Sequence, residues 1–82
     1  MENFFLAQRE VLGLSQRRIA IALDMTDSAV GSWERGTNVP RIALAPKLAA
    51  VYQVSQARIE KEIVKLAHEI AAKKEAASAA SA

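Results

Sequence analysis

Residues 15–36 read Ser-Gln-Arg-Arg-Ile-Ala-Ile-Ala-Leu-Asp-Met-Thr-Asp-Ser-Ala-Val-Gly-Ser-Trp-Glu-Arg-Gly, and the rest of the chain is placed by reference to their apolar positions. Ile19, Ala20 and Leu23 recur at helical spacing while Arg17 and Arg18 point elsewhere, so Gln16 to Leu23 is a short, one-sided helix with Ser15 as its N-cap. Asp24-Met25-Thr26 breaks the pattern. Thr26 or Asp27 then caps a further helix that runs to about Arg35, with Val30 and Trp33 inward and Gly36 at its end. Two short helices crossing at a wide angle need a small residue where they meet, and Ala20 supplies it. Ile19, Leu23, Met25, Val30 and Trp33 face inward and fix the crossing, so they are core residues.

Upstream, Asn3 caps a first helix carrying Phe4, Phe5, Leu6, Val11 and Leu12 on more than one side, and Gly13 ends it. Downstream, Thr37-Asn38-Val39-Pro40 is a loop by composition. Pro46 suits the first turn of a fourth helix, where its missing N–H costs nothing, and Leu48, Ala49, Val51 and Tyr52 follow. Ser55 caps a fifth helix in which Ile59, Ile63, Leu66 and Ile70 stand four, three and four apart. This helix reaches about Glu75, and at ~1.5 Å rise per residue it is roughly 30 Å long, more than so small a domain needs. Residues 76–82 are alanine and serine only and are expected to form a frayed or disordered tail. The predicted fold is all-α with five helices: a domain over 1–58, a helical extension over 59–75 and the tail over 76–82.

Bulk properties narrow the function classes. With 82 residues there is room for one domain, which at this size buries only about 60% of its unfolded surface. Apolar content of 51% overstates the core, because seventeen of those residues are alanine. The absence of cysteine removes disulfides and thiolate metal sites and fits a reducing cytosol. His68 has no co-ligand, so no metal and no cofactor are expected. A Gly-rich phosphate loop and paired carboxylates are missing too, which argues against an enzyme. No apolar run approaches the roughly 18 residues that span a bilayer, and Met1-Glu2-Asn3 lacks a signal peptide's cationic start, so a soluble, cytoplasmic protein is expected. The formal charge of +2 is a weak argument for a polyanionic partner. Any such case rests on where the charges stand.

From Gly13 to Ser55 the chain resembles the phage repressor and Cro family of helix-turn-helix proteins, also called the XRE family. Leu14-Ser15-Gln16, Ile19-Ala20, Leu23, Val30, Trp33-Glu34-Arg35-Gly36, Pro40-Arg41, Leu48-Ala49 and Val54-Ser55 carry the resemblance. It implies a five-helix lambda-repressor-like domain whose third helix enters the major groove of double-stranded DNA, with Asp27, Ser28 and Ser32 toward base edges. It further implies that Gln16 bonds a backbone phosphate, that Arg41 and the amides opening the fourth helix grip the backbone, and that Arg9 pairs with Glu34. Arg17, Arg18, Arg35, Asn38 and Lys47 are further phosphate candidates, with a plain solvated face as the alternative for Arg17 and Arg18. Gly31 either lets the backbone approach the duplex or is a glycine kept for packing. Asp27 either accepts from cytosine N4 or is a helix-start carboxylate favoured by the macrodipole. Asp24 and Gln53 stand where the family often has glycine, and Gln8 where it usually has a large apolar residue, which puts the register of the first helix in doubt.

Domains of this family usually end soon after the residue matching Ile59. Ile63, Leu66 and Ile70 are therefore expected as an exposed stripe that makes a homodimer, the alternative being that the stripe folds back on its own domain. The resulting expectation is a sequence-specific, nucleoid-associated transcriptional regulator of Cro or repressor type, binding operator DNA as a dimer, with no small-molecule ligand. The rival is a protein-interaction module, anti-repressor or antitoxin-like, which Asp27 and the low net charge favour.

Overall fold

Among the described residues five α-helices follow one another: α1 (Phe4–Leu12), α2 (Gln16–Leu23), α3 (Asp27–Arg35), α4 (Ala45–Tyr52) and α5 (Gln56–Ser81), with a 3-10 turn, Ile42–Leu44, leading into α4. The computed structural model describes the backbone of residues 3–81 and the side chains of residues 3–76.

Side-chain caps set where the helices begin. The side chains of Asn3, Ser15 and Thr26 accept from the backbone N–H of Leu6, Arg18 and Ala29, at 3.1, 3.1 and 3.2 Å, and Ser55 Oγ accepts from Arg58 N–H at 3.1 Å. Each satisfies a donor the helix itself leaves unpaired. Thr26 is thus the cap of α3, and Asp27 is its first residue. The first four helices end on a left-handed residue: Gly13, Asp24, Gly36 and Gln53. At Asp24 (φ 55°) and Gln53 (φ 57°) a Cβ is present, so those two turns are strained by roughly 1–2 kcal/mol each.

The core forms where α2 crosses α3, through Ile19, Ala20, Leu23, Val30 and Trp33, with Leu48 and Tyr52 of α4 beneath. Phe5 is the one α1 residue that is fully buried, its ring edge-on to Tyr52 at 5.6 Å. Val11, expected among the apolar positions of α1, is 78% exposed. Gln8 resolves the register of α1 by another route, donating from Nε2 to the Tyr52 carbonyl at 2.9 Å and so tying α1 to the end of α4.

Helix α5 corrects three expectations. Ile59, Ile63 and Leu66 are buried in the chain's own core and Ile70 is packed partly against it. The stripe is therefore not an exposed seam for a second copy; it folds back, and a period near 3.5 is the same for either destination. The boundary drawn at 58/59 falls inside a continuous helix whose Ile59 to Leu66 segment is core, so that segment belongs to the domain. The helix also runs through Ser81 rather than ending near Glu75, consistent with the helix propensity of alanine, so the tail expected over 76–82 is helical backbone as far as it is described; Ala82 lies outside the described residues. From Ala71 to Ala76 every side chain is exposed, and α5 accounts for the 42 Å long axis of a molecule 22 to 23 Å across.

Two outcomes follow for stability. Ile63→Glu buries a carboxylate with no partner and is expected to cost more than about 3 kcal/mol, abolishing the cooperative melt by circular dichroism instead of giving a folded monomer. The Tyr52 hydroxyl is buried without a hydrogen-bond partner among the described residues. Tyr52→Phe removes a stranded polar group and is expected to raise Tm by a few degrees in the same assay.

Candidate nucleic-acid interface

The turn at Asp24 to Thr26 holds α2 and α3 so that the start of each helix carries polar residues. On α2, Gln16 is half-buried while Arg17 and Arg18 are exposed. On α3, Asp27 and Ser28 are exposed in the first turn, Ser32 is half-buried one turn later, and Arg35 is exposed at the end. Asn38, Arg41 and Lys47 are exposed on the segment that follows.

Two of these side chains are already engaged with the backbone. Ser32 Oγ donates to the Ala29 carbonyl at 2.6 Å, which leaves its oxygen as an acceptor toward any outside group. Asn38 Oδ1 accepts from the Val39 N–H at 2.9 Å, leaving its amide NH2 to donate outward. Arg17, Arg18, Arg35 and Arg41 are exposed and form no ion pair among the described residues.

Gly31 is buried in the free chain. Its surface is covered by two side chains: a Cβ added there meets Arg35 Nη1 at 2.9 Å and the Gln16 carboxamide at 3.6 Å. The structure thus brings Gln16, Gly31 and Arg35 together.

Behind them lies Glu34, whose side chain is only 4% exposed. Arg9 grips it with two hydrogen bonds, from Nε to Oε2 at 2.6 Å and from Nη2 to Oε1 at 2.9 Å, while Nη1 donates to the Leu14 carbonyl at 2.9 Å. Gln16 Nε2 adds a third donor to Oε1 at 3.0 Å. That last bond joins the structural pair to the exposed surface. Nothing in the spacing of Gln16 and Glu34 announces it, because the two meet only once α2 and α3 have crossed. Burial pushes the Glu34 carboxyl up, but the bonds from Arg9 and Gln16 outweigh it and hold the group below its ordinary value. The bond to Glu34 in turn raises Arg9.

Among the described residues no group of three or more His, Cys, Asp or Glu side chains is placed to hold a metal ion. No helix among them is long and apolar enough to cross a membrane.

Removing either partner of the Arg9–Glu34 pair strands a charge, so Glu34→Ala is expected to cost about 3–5 kcal/mol, with part recovered in the Arg9→Ala/Glu34→Ala double variant. Since the folded pKa of Glu34 is lowered, its contribution is present above the ordinary carboxylate value of 4.5 and is lost as pH falls through the folded value. Melts between pH 7 and pH 2 are therefore expected to show an acid-side loss of stability that Glu34→Gln, which does not titrate, makes shallower.

No curated protein and no solved structure matches the chain. Residues 5–61 match the helix-turn-helix domain, a range that takes in α1 to α4 and the first turns of α5 and thus the whole crossed-helix arrangement described above. That is a DNA-binding, non-enzymatic kind of fold. The chain belongs to the helix-turn-helix domain family, of the XRE-like type.

Proposed function

We propose that the protein is a sequence-specific transcriptional regulator of Cro or repressor type that docks α3 in the major groove of double-stranded operator DNA. The observation that carries this reading is the exposed first turn of α3, bearing Asp27 and Ser28, on a pair of crossed helices flanked by the exposed guanidinium groups of Arg17, Arg18, Arg35 and Arg41, none of them in an ion pair among the described residues. Phosphate contacts come from Gln16, Arg17, Arg35, Asn38 and Arg41, and position the domain without reading sequence. Base edges are met by Asp27, Ser28 and Ser32; Ser32, as an acceptor, suits an exocyclic amino group of adenine or cytosine.

Serines discriminate weakly, so the reading includes two copies on one near-palindromic site, their α3 helices about 34 Å apart. Half-site contacts then add in free energy, the second made at high effective concentration. Ile63 and Leu66 are not the seam of that pair, because they are buried in their own domain. A cytoplasmic, nucleoid-associated location goes with the DNA partner, and no cofactor or small-molecule ligand is part of the reading.

Titration of a labelled duplex against salt tests the reading, since neutralised phosphates give a negative slope of log affinity against log salt. Gln16→Ala and Arg41→Ala are expected to weaken binding across all sequences, and Arg41→Ala to reduce the slope by about 0.9, the share of one neutralised phosphate. Ser28→Ala/Ser32→Ala is expected to change the sites selected from a random duplex library. Unchanged selection would remove α3 as the reader, and an affinity without salt dependence would point instead to a protein partner.

A further inference from the structure

We infer that Gly31 is an affinity-determining residue: lacking a Cβ, it lets the Arg35 guanidinium fold back over α3 beside the Gln16 carboxamide, so that the two form one oxyanion site for a DNA phosphodiester. The inference rests on the DNA-binding reading and adds to it a role for a residue with no side chain.

The geometry is specific. Arg35 Nη1 lies 2.9 Å from where a Cβ would stand at Gly31, closer than a carbon atom tolerates, and both ends of the Gln16 carboxamide lie 3.6 Å from the same point. Gly31 is thus the floor on which the two groups converge. One N–H of the Gln16 amide is committed to Glu34, which fixes the flip of the carboxamide and leaves the second N–H to donate outward. The Arg35 side chain makes no hydrogen bond or ion pair among the described residues, so its planar donors are open. The nearby negative charge on Glu34, which also acts on Arg35, is offset by the two bonds from Arg9. A planar fork of N–H donors beside an amide N–H matches the paired oxygens of a phosphodiester.

The glycine carries a cost that the fold alone does not require. It stands in the middle of α3, where alanine is the better helix former, and the only sub-van-der-Waals contact an added Cβ makes is with the movable end of Arg35. Gly31→Ala is therefore expected to act in opposite directions on folding and on binding.

The test uses the full chain and a mixed-sequence duplex of about 20 base pairs. Gly31→Ala is expected to raise Tm by about 3–6 °C, to weaken duplex binding about tenfold at low salt, and to reduce the salt slope by about 0.9. Arg35→Ala is expected to weaken binding to the same degree with Tm little changed, and adding it to Gly31→Ala is expected to bring no further loss. Wild-type affinity in Gly31→Ala would overturn the inference. So would losses that multiply in the double variant, since Gly31 would then act on the duplex directly, and so would a fall in Tm, since the space would then not be held by a movable side chain. If the wild-type chain binds no duplex in a salt-dependent way, the DNA-binding reading is what fails. The site is then read with inorganic phosphate by NMR: movement of the Gln16 amide and Arg35 Nε–H signals that Gly31→Ala abolishes supports it, and no movement in the wild type overturns it.

Discussion

A carboxylate removed from water has to be met by donors, and Glu34 draws its three from two other helices, α1 through Arg9 and α2 through Gln16. Apolar burial holds the same helices together, but it is non-directional and tolerates small rotations. Hydrogen bonds to one fixed carboxylate do not. The relative setting of α1, α2 and α3 is therefore specified at a single buried point, and Arg9 transmits it further by donating to the Leu14 carbonyl in the turn between α1 and α2. Because Gln16 belongs both to this network and to the exposed surface, the stability of the domain and the geometry of its outer face are not independent properties.

The division of labour along α5 has a similar logic. In so short a chain the first four helices offer a core built around Trp33, Tyr52 and Phe5, and Ile59, Ile63 and Leu66 close it from the remaining side. The Arg58 guanidinium stacks 4.9 Å from the centre of the Phe4 ring, sealing the edge between α1 and α5. Keeping this stripe inside leaves Ile59, Ile63 and Leu66 out of reach of a second copy. Farther along, Lys73 Nζ lies 3.8 Å from the Cβ position at Gly36, where the carbonyls at the end of α3 favour a cation. The helix thus reaches α3 at its C-terminal cap, while its main packing partner is α4.

What could be read from the residues was local chemistry. Asn3, Ser15 and Ser55 announce helix starts because capping needs only a short polar side chain and an N–H three residues on, and the apolar positions of α2 and α3 show their faces by spacing alone. The destination of the Ile63, Leu66 and Ile70 stripe was not legible, since periodicity states that a face is buried and not against what. Val11 misled for the same reason: α1 is apolar on several sides, and only the tertiary contact of Phe5 selects one. At the candidate interface the residue types were legible through the family resemblance. The joining of Gln16 to Glu34 and the covering of Gly31 by Arg35 were not, because both depend on how side chains settle once α2 and α3 have crossed, which has no signature in spacing.

The strained turns at Asp24 and Gln53 have a consequence for how such a sequence can change over time. Each holds a side chain in a backbone conformation that glycine adopts freely, so a single replacement at either position relieves about 1 kcal/mol. That is close to what an average substitution elsewhere in a protein costs. Neither residue lies in the first turn of α3, where Asp27 and Ser28 face outward, although Asp24 belongs to the turn that leads into it. Altered surface residues and the compensation they require can therefore arise at separate positions, and the two strained turns act as a reserve of mutational tolerance from which new recognition surfaces can be explored without loss of the fold.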